Sequence, residues 1–315
     1  MGRLLKLRSI CSDALRAGED VPIQRFALVS LMWVDGKYSV LRQKLTAPLD
    51  SLTWAHVIRL KAFGMSLLQV RIGTSGWHYK HWLNQFYPKD LPAASMFNWY
   101  ARHFDTVEIN NTFYRLPNEE AVMHWRDSAP PEFVFSVKAS RFVTHMKRLL
   151  DPAISTQKFF DRAELLGPKL GPILFQLPPR WKLNLQRLEE FLVTLPGGHH
   201  YVFEFRDASW AEGRVYDLLR RFNAAVCFHD WQGVRWPGEL TASFAYLRFH
   251  GPTGGYCGSY PTKVLKDWSR EIESWDAIKQ VWIYFNNDIG GHAITNAMAL
   301  RKLLNRAAPE IVPAA

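Results

Sequence analysis

The sequence predicts an α/β protein built as a TIM-type (β/α)8 barrel. Three observations carry that reading: eight short runs rich in Val, Ile, Phe and Tyr recur from Gln69 onward, segments of helical periodicity separate them, and successive runs start roughly 20 to 40 residues apart. Such alternation is the pattern of βα units around a parallel sheet. An open doubly wound sheet is the competing arrangement, but eight units each with room for a helix fit closure better.

Taken in order, the runs begin near Gln69, Thr106, Phe133, Gly171, Tyr201, Ala224, Phe244 and Val281. Between them, Asn118–Ala129 reads as a helix because Asn opens it and two Glu follow, a cap and two anions at the positive end of the dipole. The Asn184–Leu195 segment places Leu185, Leu188, Phe191 and Leu192 on one helical face, and Ala293–Arg306 closes the set. Residues 1–64 hold two short apolar patches and a Pro-Leu-Asp turn at 48–50, with no strand–helix unit. They read as an N-terminal extension, either poorly ordered or upstream of a true start at Met65, with a partner-binding segment as the functional alternative. The barrel domain is then 65–315.

Composition narrows the class. With 315 residues, 48% hydrophobic, 13 Trp and 20 Phe, the chain can bury a large core. Its three cysteines, Cys11, Cys227 and Cys257, are odd in number and show no Cys-x-x-Cys spacing, which argues against a disulfide framework or thiolate zinc and for a reducing, cytoplasmic setting. The apolar stretch Phe26–Val34 falls far short of the roughly 20 residues of a membrane span and has no cleavage site, so neither insertion nor a signal peptide is expected. Half of the net charge of +10 lies in residues 1–64, and no run of five basic residues occurs. That balance permits nucleic acid or another polyanion as partner without demanding it.

Residues two apart in a strand share a face, and here the faces separate. Val107 and Ile109 oppose Glu108 and Asn110; Phe135 and Val137 oppose Ser136, Lys138 and Ser140; Phe203 and Phe205 oppose Glu204 and Arg206. Further on, Val226 and Phe228 oppose Cys227 and His229, with Asp230 at the strand end. Leu247 and Phe249 oppose Arg248 and His250, and Ile283 and Phe285 oppose Tyr284 and Asn286. Barrel interiors are normally filled by branched apolar side chains, and buried unpaired charge is expensive, so this polar set needs a reason. It comes late in each strand, towards the carboxyl-end mouth where barrels bind ligands. Two carboxylates against Lys138, Arg206 and Arg248 leave one positive charge over, which suits a small anionic ligand. A self-satisfied ion-pair network is the structural alternative. Two glycine-bearing segments, His250–Tyr260 and Asn286–His292, follow the seventh and eighth runs, where barrels often hold phosphate on backbone N–H groups; tight turns alone also account for such glycines.

Six motifs in order then show a resemblance: Gly73-Thr-Ser-Gly-Trp77, Phe113-Tyr-Arg-Leu-Pro117, Thr144-His145, Gly171-Pro-Ile-Leu-Phe-Gln-Leu-Pro-Pro179, Phe203-Glu-Phe-Arg206 and Tyr284-Phe-Asn-Asn-Asp288. From about Gln69 to Leu304 the chain resembles the YecE-like family, the domain of unknown function 72. The resemblance implies a β/α barrel and no settled activity. It marks Gly73, Ser75, Trp77, Glu108, Tyr114, Lys138, Gln176, Glu204, Arg206, Arg248, Gly251 and the Asn286, Asn287, Asp288 run as motif positions. Asp207 departs from it, since the family often has His there, which weakens any role for that position.

Three functional readings follow. In the first, an enzyme performs hydrolase-, lyase- or isomerase-type acid–base chemistry on a phosphorylated or otherwise anionic ligand: Glu204 or Glu108 is the base, Lys138 or His250 the acid, and Arg206 and Arg248 clamp the anion. Ser75, Trp77, Asn110, Tyr114, Gln176, Asp230, Gly251, Tyr260 and Asn286–Asp288 would complete the ligand site. In the second, nucleic acid binds through Trp77, His78, Tyr79, Trp82 and Tyr114 beside basic loops, with phosphodiester cleavage as its catalytic version; covering the barrel mouth is the plainer task for those rings. The third is a non-catalytic ligand-binding module. No cofactor is predicted. A divalent metal is compatible with His229, Asp230, His250, Glu204 and Asp288 at converging strand ends, although no short ligand motif is present. Nothing in the sequence sets the oligomeric state.

Overall fold

Strand-forming runs and helix caps are where the sequence puts them. The computed structural model describes residues 29–34, 37–42 and 68–304, and the chain divides into two units, Met1–Met65 and Ser66–Ala315. In the first unit, strands β1 (Val29–Val34) and β2 (Lys37–Arg42) pair antiparallel, so part of one apolar patch is a hairpin strand. The rest of the expected extension, and the order or start assigned to it, lie outside the described residues.

In the second unit eight parallel strands follow one another around a nearly closed barrel: β3 (Gln69–Thr74), β4 (Thr106–Ile109), β5 (Val134–Lys138), β6 (Leu170–Gln176), β7 (Tyr201–Glu204), β8 (Ala225–His229), β9 (Phe244–Phe249) and β10 (Gln280–Phe285). The β3 strand pairs with β10, and the ladder then runs down to β4. At the remaining seam, β3 meets β4 through the bridge Ser75–Glu108. Side chains stitch it further: Arg71 donates to the carboxylate of Asp105 at 3.0 Å and to the carbonyl of Glu132 at 3.0 Å. The Tyr100 hydroxyl accepts from the Thr74 N–H at 3.0 Å and donates to the Thr106 carbonyl at 3.1 Å. Gly73 is required here, because a Cβ would stand 2.3 Å from the Thr106 carbonyl oxygen.

Seven α-helices are described around the sheet: α1 (Met96–Ala101), α2 (Glu119–Ser128), α3 (Pro152–Ala163), α4 (Leu185–Thr194), α5 (Gly213–Arg221), α6 (Thr262–Glu273) and α7 (His292–Leu303). The predicted Asn118 cap forms, accepting from the Ala121 N–H at 3.0 Å, and Asn184 caps α4 in the same way, accepting from the Arg187 N–H at 2.9 Å. The unit after β8 departs from the expected pattern. Its connection holds Pro237 and two consecutive positive-φ residues, Gln232 and Gly233, so it makes the 3-10 turn Trp231–Gly233 and a loop in place of a helix. This shortcut keeps Asp230 and Trp231 at the mouth.

The core has two shells. Outward side chains such as Val107, Phe135, Phe203, Leu247 and Phe285 join the helices in the larger one. Inside the barrel, Leu174, Val202, Ala225, Cys227, Phe244 and Trp282 fill the floor, with Tyr246 and Tyr284 above them. Each fully buried side chain of this size contributes about 1.5–3 kcal/mol. Among the described residues, no helix is long and apolar enough to cross a membrane.

Candidate functional site

Above the apolar floor the interior becomes polar by layers. A hydroxyl layer comes first: Ser136 Oγ lies 2.7 Å from Tyr246 Oη, and Thr106 Oγ1 lies 2.7 Å from Tyr284 Oη. The next inward residue of each strand is charged or polar, because the period of two carries the same face upward.

Arg248 is the centre of that layer. Its Nη1 donates to Glu204 Oε2 at 2.5 Å and its Nη2 to Glu108 Oε1 at 2.8 Å, and all three side chains are fully buried. Glu108 also accepts from Ser75 Oγ at 2.5 Å and Tyr246 Oη at 2.7 Å. Burial pushes the Glu108 carboxyl up, but the Arg248 charge and these donors more than offset it and hold it below the usual range. Glu204 accepts a second guanidinium contact from Arg206 Nε at 2.7 Å. Against the cost of burial, Arg248 and Arg206 hold it well below its ordinary value. Both carboxylates are therefore ionised and occupied by donors, which makes them weak proton acceptors. The self-paired network anticipated as the structural alternative is real for these four residues.

Lys138 stands apart from it. Its side chain is buried, the residue being 5% exposed, and its ammonium has neither a hydrogen bond nor a carboxylate within 4.0 Å among the described residues. The ammonium lies 4.0 Å from the centre of the Phe113 ring. Burial, then the Arg248 charge, lowers the Lys138 pKa to about 7, with Glu204 and Glu108 pulling the other way and Arg206 adding to the depression. His145 also packs against Phe113, edge-on with ring centres 4.9 Å apart. Burial and the charges of Lys138, Arg206 and Arg141 bring its pKa to about 4, so it is neutral near pH 7. Arg206 reaches the same space. It lies over Trp231, 4.5 Å from the ring centre, and its Nη1 has no partner among the described residues.

His250 is fully buried, with Nε2 at 3.3 Å from N–H groups of both Arg206 and Arg248. An imidazole nitrogen facing two guanidinium donors accepts, which leaves the ring proton on Nδ1, 3.7 Å from Asp230. Burial lowers its pKa despite Asp230 and Glu204. His229 is neutral in the same way, its pKa brought to about 4 chiefly by burial; Nε2 faces the Phe205 carbonyl at 2.8 Å and Nδ1 accepts from the Trp231 N–H at 3.2 Å. Among the described residues, no group of three His, Cys, Asp or Glu side chains is arranged to hold a metal ion.

Other predicted ligand residues hold loops. Asp230 accepts from the His250 N–H at 2.7 Å and from the Tyr260 hydroxyl, which in turn accepts from the Gly251 N–H at 2.6 Å. At Gly251, φ is +106° and a Cβ would stand 2.2 Å from the Cys257 carbonyl oxygen, so its glycine serves the turn. Asn287 donates to the Gly258 carbonyl at 2.9 Å and to Asn296 at 2.8 Å, tying the two glycine loops together. Asp288 accepts from Trp82 Nε1 at 2.6 Å and pairs with His81 at 3.0 Å. Asn286 and Gln176 are buried at the ends of β10 and β6, within or next to their strands. Trp77, Asn110 and Tyr114 belong to a neighbouring cavity of about 440 Å³ between the β3 and β4 loops. There Trp77 packs edge-on to Phe97 and Trp125, Tyr114 is 70% exposed, and Asn110 Oδ1 is buried without a partner.

Three residues were not singled out for the site from sequence. Tyr246 shares the Arg248 face and could have been found by extending the period of two. His145 appeared within a motif but without a role, and Trp231 sits in the connection expected to be a helix.

The family described as "Protein of unknown function DUF72" matches residues 71–315. Among curated proteins, the chain is 28% identical over 270 residues to UPF0759 protein YunF of Bacillus subtilis, covering 75% of this chain and 95% of that protein. It is 32% identical over 154 residues to UPF0759 protein YecE of Escherichia coli K12, covering 48% of this chain and 54% of that one. Among solved structures, a DUF72 family protein from Thermotoga maritima aligns with a TM-score of 0.68 and 27% identity, covering 76% of this chain and 100% of that one. A second, from Enterococcus faecalis, aligns with a TM-score of 0.65 and 20% identity over 78% of this chain and 99% of its own, a likeness of fold. With the family matched across the barrel unit, the chain belongs to the DUF72 family.

Proposed function

We propose that the mouth of the barrel binds a small anionic ligand and performs proton-transfer chemistry on it, with Lys138 as the group that gives or takes the proton. One observation carries the reading: among the described residues Glu108 and Glu204 are taken by Arg248 and Arg206 and Asp230 by the His250 N–H and Tyr260, so the ammonium of Lys138, a residue only 5% exposed, has no carboxylate within 4.0 Å. Burying an uncompensated charge costs several kcal/mol unless the group loses its proton or a ligand pairs with it. Arg206 supports the same reading through its unpartnered Nη1, suited to one oxygen of a carboxylate or phosphate. In this scheme Glu108 and Glu204 hold the two arginines in place, and His250 keeps its neutral acceptor towards them; the general base sought among the carboxylates is better supplied by the free amine of Lys138.

A thermal-shift titration tests it. Inorganic phosphate, small carboxylates and short oligonucleotides are each titrated against the wild-type chain and against Arg206→Gln and Lys138→Met. A ligand at a hundred times its Kd adds about 2.7 kcal/mol to stability. A rise in Tm with a small anion that both variants lose supports the proposal. A rise with oligonucleotide alone, strongly salt-dependent, would move the reading to nucleic acid, and no variant-sensitive rise with any of them would end it.

A further inference from the structure

The Lys138 amine has the surroundings of a nucleophile as well as those of a proton carrier. It projects from the end of β5, against the face of Phe113, with no hydrogen-bond acceptor to hold it as an ammonium among the described residues. Glu108 and Glu204 are the carboxylates that act on it, and both are engaged by guanidinium groups. Two more cations, Arg248 and Arg206, also bear on it, and His145, packed edge-on to Phe113, is neutral. A desolvated lysine beside other cations is how amines become carbonyl-capturing groups.

We propose that Lys138 condenses with the carbonyl of a small anionic aldehyde or ketone, a 2-oxo acid or a carbonyl phosphate, to form an imine at the barrel mouth. The proposal rests on the anion-binding reading above, since Arg206 would hold the anionic end and so bring the carbonyl to the amine. In the step, the nitrogen lone pair forms a C–N bond to the carbonyl carbon, and the π pair moves to oxygen, which gains a proton. The nitrogen sheds a proton to water. The hydroxyl takes up a second proton, from solvent, and leaves as water with the C–O bond pair while the nitrogen lone pair forms the C=N bond of an iminium. Amine, carbonyl and one proton give iminium and water, with no change in oxidation state. The iminium is an electron sink for bond making or breaking at the adjacent carbon, which gives a lyase or isomerase its driving element.

The test is reductive trapping of the full-length chain at pH 7 with sodium cyanoborohydride and, separately, glyoxylate, pyruvate and dihydroxyacetone phosphate, followed by peptide mapping. An amine with a pKa of about 7 is about half unprotonated at that pH, against roughly one in three thousand for an ordinary lysine. Lower basicity weakens the nucleophile, so the expected excess of labelling at Lys138 over Lys263, whose side chain is 86% exposed, is about tenfold or more. Labelling at Lys138 should level off just above pH 7. Lys138→Arg keeps the cation and should lose the adduct. Labelling with the carboxylate probes or with the phosphate probe decides which anion the site takes. If none of the three probes labels Lys138 faster than Lys263, the imine is overturned; an anion-dependent shift that persists in that case leaves the anion-binding reading standing.

Discussion

Two sides of one mouth treat buried charge in opposite ways. Around β7 and β9, Arg248 and the two glutamates close on one another, and Ser75, Tyr246 and Arg206 fill the remaining carboxylate positions. Around β5, Lys138 is nearly as buried but faces an aromatic ring and other cations. The first side meets the desolvation of its ions with direct partners, as a structural network must. The second leaves a cation short of one, and such a deficit persists in a folded protein where a ligand or a proton exchange resolves it. The difference separates what holds the mouth in shape from what is free to react there.

The comparison breaks most readily at Arg248. Replacing it with Met strands Glu108 and Glu204 in the barrel interior, an expected loss of about 3–5 kcal/mol and a Tm lower by roughly 10 °C or more in thermal unfolding. Adding Glu108→Gln and Glu204→Gln should restore much of that loss, since neutral amides tolerate the site. A triple variant no more stable than Arg248→Met would mean that the network is not the unit described here. Tyr246→Phe is a smaller test. It removes one donor to Glu108 and leaves Ser75 and Arg248, so a loss of about 2 kcal/mol is expected in denaturant titration. Lys138 labelling in that variant should be unchanged, because Tyr246 serves the closed side. A matching drop in labelling would show that the two sides are coupled.

Much of this was legible before any coordinates, and the physical reason is periodicity. Alternation of Phe and Val with Glu, Lys and Arg in TVEIN, FVFSVKAS and YVFEFRD fixed which side chains enter the barrel, since a strand offers two faces only. The Asn118 cap located α2, and hydrophobic spacing located α4. What periodicity cannot carry is pairing. Sequence offers Lys138 and Arg206 as equal partners for Glu204, whereas the fold sends Arg206 to that carboxylate and Lys138 to Phe113. Loop geometry is equally hidden. Asn287, Tyr260 and Gly251 looked like ligand residues because they stand in glycine-rich segments after the last strands, yet their hydrogen bonds secure those segments to each other. The connection after β8 has the spacing of a βα unit, but Pro237 and the positive φ at Gln232 turn it into a loop that brings Trp231 over Arg206.

The finest contrast lies in how the open side responds to pH. Lys138→Met should stabilise the fold at pH 7, because the thioether fills the space against Phe113, no hydrogen bond is lost and the penalty of burying an unpaired charge is removed. Arg248→Met is opposite in sign although both changes remove one buried cation. The pH dependence makes the distinction sharper. Lys138 titrates near 7 when folded, against an ordinary 10.5 when unfolded. Between those values the unfolded chain binds more protons than the folded one, so this residue makes stability rise with pH across that window. Below pH 7 both states carry the charge and the folded state bears the full penalty of burying it; above 10.5 neither does. The advantage of Lys138→Met over wild type should therefore be greatest below pH 7 and shrink steadily towards pH 10 in parallel thermal melts. Curves that stay parallel from pH 6 to 10 would mean that Lys138 keeps its proton throughout, with a counter-ion of its own. The two sides of the mouth would then be alike.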